Sequence, residues 1–133
     1  MKRHQIHYRG TYTATPLSFW VHHNLDNEVW AEAKKFDPAL PVPTPGKGWP
    51  MLSVTFGELS LHFASAQELH HFMLVISQNP MPTSADLCKA RGVDTLVDQH
   101  WLNRLPADAK TPKARREMFE YLVQIAPEFV AVG

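Results

Sequence analysis

The sequence predicts an α+β fold in which an N-terminal antiparallel sheet packs against a C-terminal layer of three or four helices. Three features predict it. Residues 52–63 carry a hairpin pattern, residues 65–127 carry successive helix start and stop signals, and a proline-rich connector at 37–50 divides the strand-rich part. At 133 residues the chain has one domain's worth of sequence, a single α+β unit over 1–133 with strands in 1–64 and helices in 65–127.

The hairpin is the strongest local signal. In "MLSVTFGELSLHF", Leu52, Val54 and Phe56 alternate on one parity, then Leu59, Leu61 and Phe63 on the other. A two-residue turn at Gly57–Glu58 repairs that change: 56 pairs with 59, 54 with 61 and 52 with 63. All six apolar side chains then share one face, and glycine at the first central position suits a type II′ turn. Ser53, Thr55, Ser60 and His62 occupy the opposite face.

Upstream, "QIHYRGTYTA" alternates Ile6, Tyr8, Tyr12 and Ala14 and reads as a strand, and Leu17–Val21 reads as another after a turn at Pro16. In "NLDNEVWAEAKKF" Leu25, Val29, Ala33 and Phe36 share a helical face, so a helix is expected with Asn24 or Asp26 as cap. A turn at "NLDN" followed by a strand over 28–33 is the alternative. The connector "FDPALPVPTPGKGWP" holds five prolines and two glycines, which excludes helix and central strand and predicts an extended surface segment.

After the hairpin, Ser65 and Glu68 form a capping-box pattern that opens a helix over 66–78. Leu69, Phe72, Met73 and Ile76 form its stripe, and Leu74 with Val75 widen it, which predicts burial on two sides. Thr83 or Ser84 caps a short helix ending at Gly92. A further helix is expected in "DTLVDQHWLNRL", burying Val97 and Trp101. Thr111 as cap and Pro112 as first residue start the last helix, which runs to about Ala126 with Met118, Phe119, Leu122 and Ile125 inward.

Composition narrows the function classes. Thirteen Lys/Arg balance thirteen Asp/Glu, with eight histidines apart, which disfavours a dedicated nucleic-acid binder. Cys88, the one cysteine, excludes an internal disulfide and a thiolate zinc cluster, and its place beside Leu87 suggests a small core residue. The opening residues have no apolar stretch of the secretory kind, and no run approaches the roughly twenty apolar residues of a membrane span, so a cytoplasmic protein with no membrane partner is expected.

The stretch "LHFASAQELHHF" gathers three histidines and a glutamate. His70 and His71 project about 100° apart on a helix and do not share a metal easily. Glu68 and His71 have ligand spacing and are the candidate metal pair, although no second Glu-x-x-His accompanies them. His62 falls on the opposite face of the sheet. No nucleophile elbow or phosphate loop occurs, so no catalytic or cofactor-binding residue and no cofactor is assigned.

Seven Lys/Arg lie between positions 89 and 116, diluted by Asp86, Asp94, Asp98 and Asp108. A helix–turn–helix there would have to bury Arg91 and Asp98, which is costly. The expected function is therefore a small non-catalytic interaction or accessory module with a protein partner, self or other. The alternatives are a nucleic-acid-associated protein using the 89–116 region and, further off, a histidine-dependent metalloenzyme. Trp49, Lys110, Lys113 and Arg116 are the candidate contact residues.

Overall fold

The computed structural model describes residues 2–25, 29–92 and 100–132. Three antiparallel strands form the main sheet in the order β1–β4–β5, with β1 at Lys2–Arg9, β4 at Trp49–Phe56 and β5 at Leu59–Phe63. The hairpin has the expected register: Phe56 faces Leu59, Val54 faces Leu61 and Leu52 faces Phe63. Gly57 has φ 60° and Glu58 keeps a negative φ, which is the type II′ combination. Leu52, Val54 and Phe63 are fully buried, while Phe56, Leu59 and Leu61 are partly covered.

β1 runs beside β4 from Lys2 opposite Phe56 to Arg9 opposite Trp49. It stops there, short of the expected strand end at Ala14, because its partner strand begins at Trp49. The connector closes tightly onto this point. Gly48 has φ 101°, and a Cβ on it would overlap the carbonyl oxygen of Arg9.

Two early expectations fail. Residues Pro16–Val21 form a helix, α1, where a strand was expected. Leu17, Trp20 and Val21 are buried and Phe19 is 54% exposed, a helical spacing that a five-residue apolar run conceals. Ser18 Oγ accepts the Thr15 amide at 2.9 Å and Pro16 is preset for the first turn, so the start is well capped. The helix expected over 24–36 does not form either. His23–Asn24 (β2) pairs antiparallel with Phe36–Asp37 (β3), and Trp30–Glu32 make a single 3₁₀ turn between them. Leu25 and Val29 are 60% and 64% exposed while Ala33 and Phe36 are half-buried, so the supposed apolar stripe does not share one buried face. Trp30 anchors the segment instead, donating its indole N–H to the His22 carbonyl at 2.8 Å and packing on Phe19 and Phe36.

The helical layer follows the sheet. α2 spans Ala66–Ile76 and buries Leu69, Phe72, Val75 and Ile76 against the sheet and the last helix, α4, at Pro112–Val130. α2 thus lies between the sheet and a later helix, as its composition suggested, but Leu74 is 64% exposed and takes no part in that burial. α3, Ser84–Arg91, has Thr83 as N-cap in a reciprocal box with Asp86 and ends at Gly92 with φ 81°. Of the helix expected in 94–105, residues 94–99 lie outside the described residues. Trp101–Arg104 and Ala107–Lys110 are 3₁₀ turns separated by Leu105 and Pro106.

α4, Pro112–Val130, has Thr111 as N-cap and runs past the expected end through Pro127, because Phe129 is fully buried. Arg115, also buried, reaches across to the end of α2. It donates to the carbonyls of Ile76 and Gln78, at 3.1 and 2.7 Å, and to that of Lys110. Its guanidinium thus satisfies carbonyls that the helix end leaves open. Among the described residues, no helix is long and apolar enough to cross a membrane.

Candidate functional site

The most chemically suggestive group lies beneath the strand-to-helix junction. His22, Ser65 and Glu68 are each fully buried. His22 follows α1, Ser65 caps α2 and Glu68 sits in its first turn, so the packing of α1 on α2 brings them together. His22 Nδ1 lies 2.8 Å from the Pro38 carbonyl and therefore carries the proton that donates there. Nε2 lies 2.7 Å from Ser65 Oγ and 3.7 Å from a Glu68 oxygen.

The Glu68 carboxylate is an acceptor hub. One oxygen takes the Thr15 hydroxyl at 2.6 Å and the Ala64 amide at 3.1 Å. The other takes the hydroxyls of Ser18 at 2.8 Å, Tyr12 at 3.0 Å and Ser65 at 3.3 Å. Half of the expected capping box holds, since Ser65 Oγ accepts the Glu68 amide at 3.2 Å. The return arm goes to Ala64 N–H rather than to the N-cap amide. Burial and the neighbouring Glu68 charge push the Tyr12 phenol well above its ordinary value.

A serine hydrogen-bonded to a histidine resembles a nucleophile and its base. Here the serine also caps a helix, and both side chains are sealed from solvent. The cluster joins the β1–α1 connection, α1 and the start of α2 by polar bonds in a dry interior, which is a fold-determining role.

A second group surrounds Trp101, whose indole N–H donates to His71 Nε2 at 3.0 Å. His100 Nδ1 accepts the Leu102 amide at 3.1 Å, and its ring lies 4.3 Å from that of Trp20. The Arg91 guanidinium lies over the same Trp20 ring, 3.9 Å from its centre, and donates to the Trp20 carbonyl. Burial, with the Arg91 charge nearby, lowers both histidines to about 4. His100 Nε2 has no partner among the described residues.

The candidate metal pair does not converge. Glu68 turns into its hydroxyl hub and His71 into Trp101, while His70 is exposed. Across the sheet, Ser53 Oγ links His62 Nδ1 at 2.9 Å to His7 Nε2 at 3.0 Å, two histidines without a third donor. Among the described residues, no group of three or more His, Cys, Asp or Glu is placed to hold a metal ion.

The basic region is spread out. Arg91 and Arg115 are bonded to backbone carbonyls of their own chain, which leaves Lys89, Arg104, Lys113 and Arg116 exposed and Lys110 half-buried, on several elements. Trp49 is half-buried, and its indole N–H donates to the Pro41 carbonyl at 3.1 Å, tying the connector to β4. Cys88 is fully buried.

What the fold leaves open is the outer edge of β5. In a two-residue hairpin the 56–59 pair is hydrogen-bonded, so Leu59, Leu61 and Phe63 bond to β4 while Ser60 and His62 turn their N–H and C=O groups outward. Among the described residues no strand pairs there. Beside this edge runs a groove of about 240 Å³, walled by Leu59, Leu61, Phe72, Trp101 and Leu105, with Arg104 on its rim. A wider cleft of about 510 Å³ shares Leu59 and continues past the turn toward Pro106 and Met118.

The two sheet edges differ in chemistry. β1 reads "KRHQIHYR" and carries Lys2, Arg3 and Arg9, charges that discourage another strand from adding. β5 reads "LSLHF" and contains no Lys, Arg, Asp or Glu. Sequence reasoning assigned Leu59, Leu61 and Phe63 to a buried face and Ser60 and His62 to the opposite one, without marking the strand as an edge; the available signal was its lack of charge. Comparison of the chain with protein-family models, with curated proteins and with solved structures finds no match.

Proposed function

We propose that this chain is a small non-catalytic interaction module that receives a partner polypeptide along the open edge of β5. One observation carries the reading: an uncharged strand edge, with outward amides at Ser60 and His62, flanks an apolar groove. Natural sheets usually cover or charge such an edge, because it pairs readily with another chain. Strand addition supplies affinity through main-chain bonds and selectivity through a side-chain pocket. The buried Ser65–His22 pair supports the same reading, since neither group reaches solvent.

The test compares wild type with Ser60→Pro. Proline at an outward-facing edge position removes one docking donor without breaking a bond to β4. Tagged copies of both forms, expressed in the native cells, are recovered and their bound proteins quantified. A bound protein that falls at least tenfold in the variant, with an unchanged melting temperature, supports the reading. Equal recovery of every bound protein by both forms overturns it.

A further inference from the structure

This inference rests on the docking reading of β5 and specifies the partner's chemistry. We infer that the partner is an extended peptide that adds to β5, seats an apolar side chain in the Leu61–Phe72–Trp101–Leu105 groove and places a carboxylate on Arg104.

The outward main-chain groups of Ser60 and His62 favour an extended occupant over a helix, because a strand has free N–H and C=O groups to pair with them whereas a helix has spent its own internally. A strand sends alternate side chains to one face, so every second residue of the peptide meets the groove while its main chain meets Ser60 and His62. The apolar surface left for a docked side chain is that of Leu59 and Leu61, the part of the hairpin face that helices leave half-covered, over a floor of the core residues Phe72 and Trp101.

Charge selects the second feature. Arg104 is exposed at the groove's rim, and among the described residues no carboxylate lies within ion-pair distance of it. A guanidinium beside outward amides matches a carboxylate in geometry and charge, whether from Asp, Glu or a chain terminus. A second copy is the poorer fit. The five residues of β5 contain no carboxylate, and pairing two β5 edges would bring two Arg104 side chains of like charge toward one shared interface.

The experiment selects binders from a displayed library of random eight-residue peptides with free carboxyl ends. The expected consensus alternates apolar residues and holds one fixed Asp, Glu or terminal carboxylate. A synthetic consensus peptide should bind about tenfold more weakly to Arg104→Glu, and replacing its carboxylate by Lys should recover binding to that variant. Ser60→Pro should abolish binding to the wild-type site. A consensus peptide whose binding is indifferent to Arg104→Glu yet lost with Ser60→Pro overturns this inference and leaves the docking edge standing. Peptides indifferent to Ser60→Pro overturn both. Failure to select any peptide overturns the peptide inference, and so does a dimer by light scattering that Ser60→Pro dissociates.

Discussion

Replacing Glu68 by alanine should destabilise the protein by about 3–5 kcal/mol. The carboxylate accepts five donors in a site with no solvent access. Three of them have another partner: Tyr12 and Thr15 O–H can turn to Ser18 Oγ at 2.9 and 3.4 Å, and Ser65 O–H to His22 Nε2 at 2.7 Å. Ser18 O–H and Ala64 N–H remain, and each unsatisfied buried donor costs about 1–3 kcal/mol. Near the middle of that range, about 1.5–2.5 kcal/mol each, the two total about 3–5 kcal/mol, a large share of the roughly 5–15 kcal/mol available to a domain of this size. Glu68→Gln keeps one acceptor oxygen and forces the Ser18 and Tyr12 hydroxyls to reverse, for a smaller loss of about 1–2 kcal/mol. Urea unfolding followed by tryptophan fluorescence measures both. An alanine variant within 1 kcal/mol of wild type, at equal slope against urea, would refute the hub as the bond that joins α1 to α2.

Three further outcomes follow from the same structure. Because burial lowers His71 and His100 from 6.5 to about 4, the unfolded chain takes up their protons first, so stability is lost as pH falls from 6.5 toward 4 and levels off below. At pH 5 the loss is up to about 2 kcal/mol for each histidine. Urea midpoints at pH 7 and pH 5 read it, and a His71→Gln/His100→Asn double variant should show a flatter profile; equal midpoints for wild type would count against burial of neutral rings. Arg115→Met keeps the side-chain stem but frees the carbonyls at the end of α2, for an expected loss of about 2 kcal/mol in urea unfolding. Gly48→Ala should cost about 2–3 kcal/mol by the same assay, since its φ of 101° disfavours a side chain and the added Cβ meets the Arg9 backbone; a neutral substitution would show that the connector does not close on β1 as described.

The sequence was most legible where a pattern had one physical solution. The parity change at Gly57–Glu58 admits a two-residue turn, and both the register and the turn type agree with it. Thr111–Pro112 and Thr83 with Gly92 likewise mark helix ends through caps that depend on neighbouring residues alone. Short apolar runs were ambiguous. Leu17–Val21 has β-like composition, and only the outward turn of Phe19, set by packing on Trp30, reveals the helix. The 24–36 stripe looked amphipathic, but no tertiary surface meets Leu25 or Val29.

The polar interior was the least legible part. Glu68 was readable as a local cap, yet four of its donors come from Tyr12, Thr15, Ser18 and Ala64, three of them more than forty-five residues away in sequence. Nothing at spacing three or four encodes such a meeting. The groove beside β5 was hidden for a related reason: Leu59 and Leu61 read as core, and only the strand order places them at an uncovered edge.

Amide hydrogen exchange at Ser60 and His62 tests the central claim most directly. With both N–H groups turned away from β4, these amides should exchange rapidly in the free protein while Leu59 and Leu61 are slow, and they should become protected when a partner peptide binds. Strong protection of Ser60 and His62 in the free monomer would contradict the account, because the edge would already be covered.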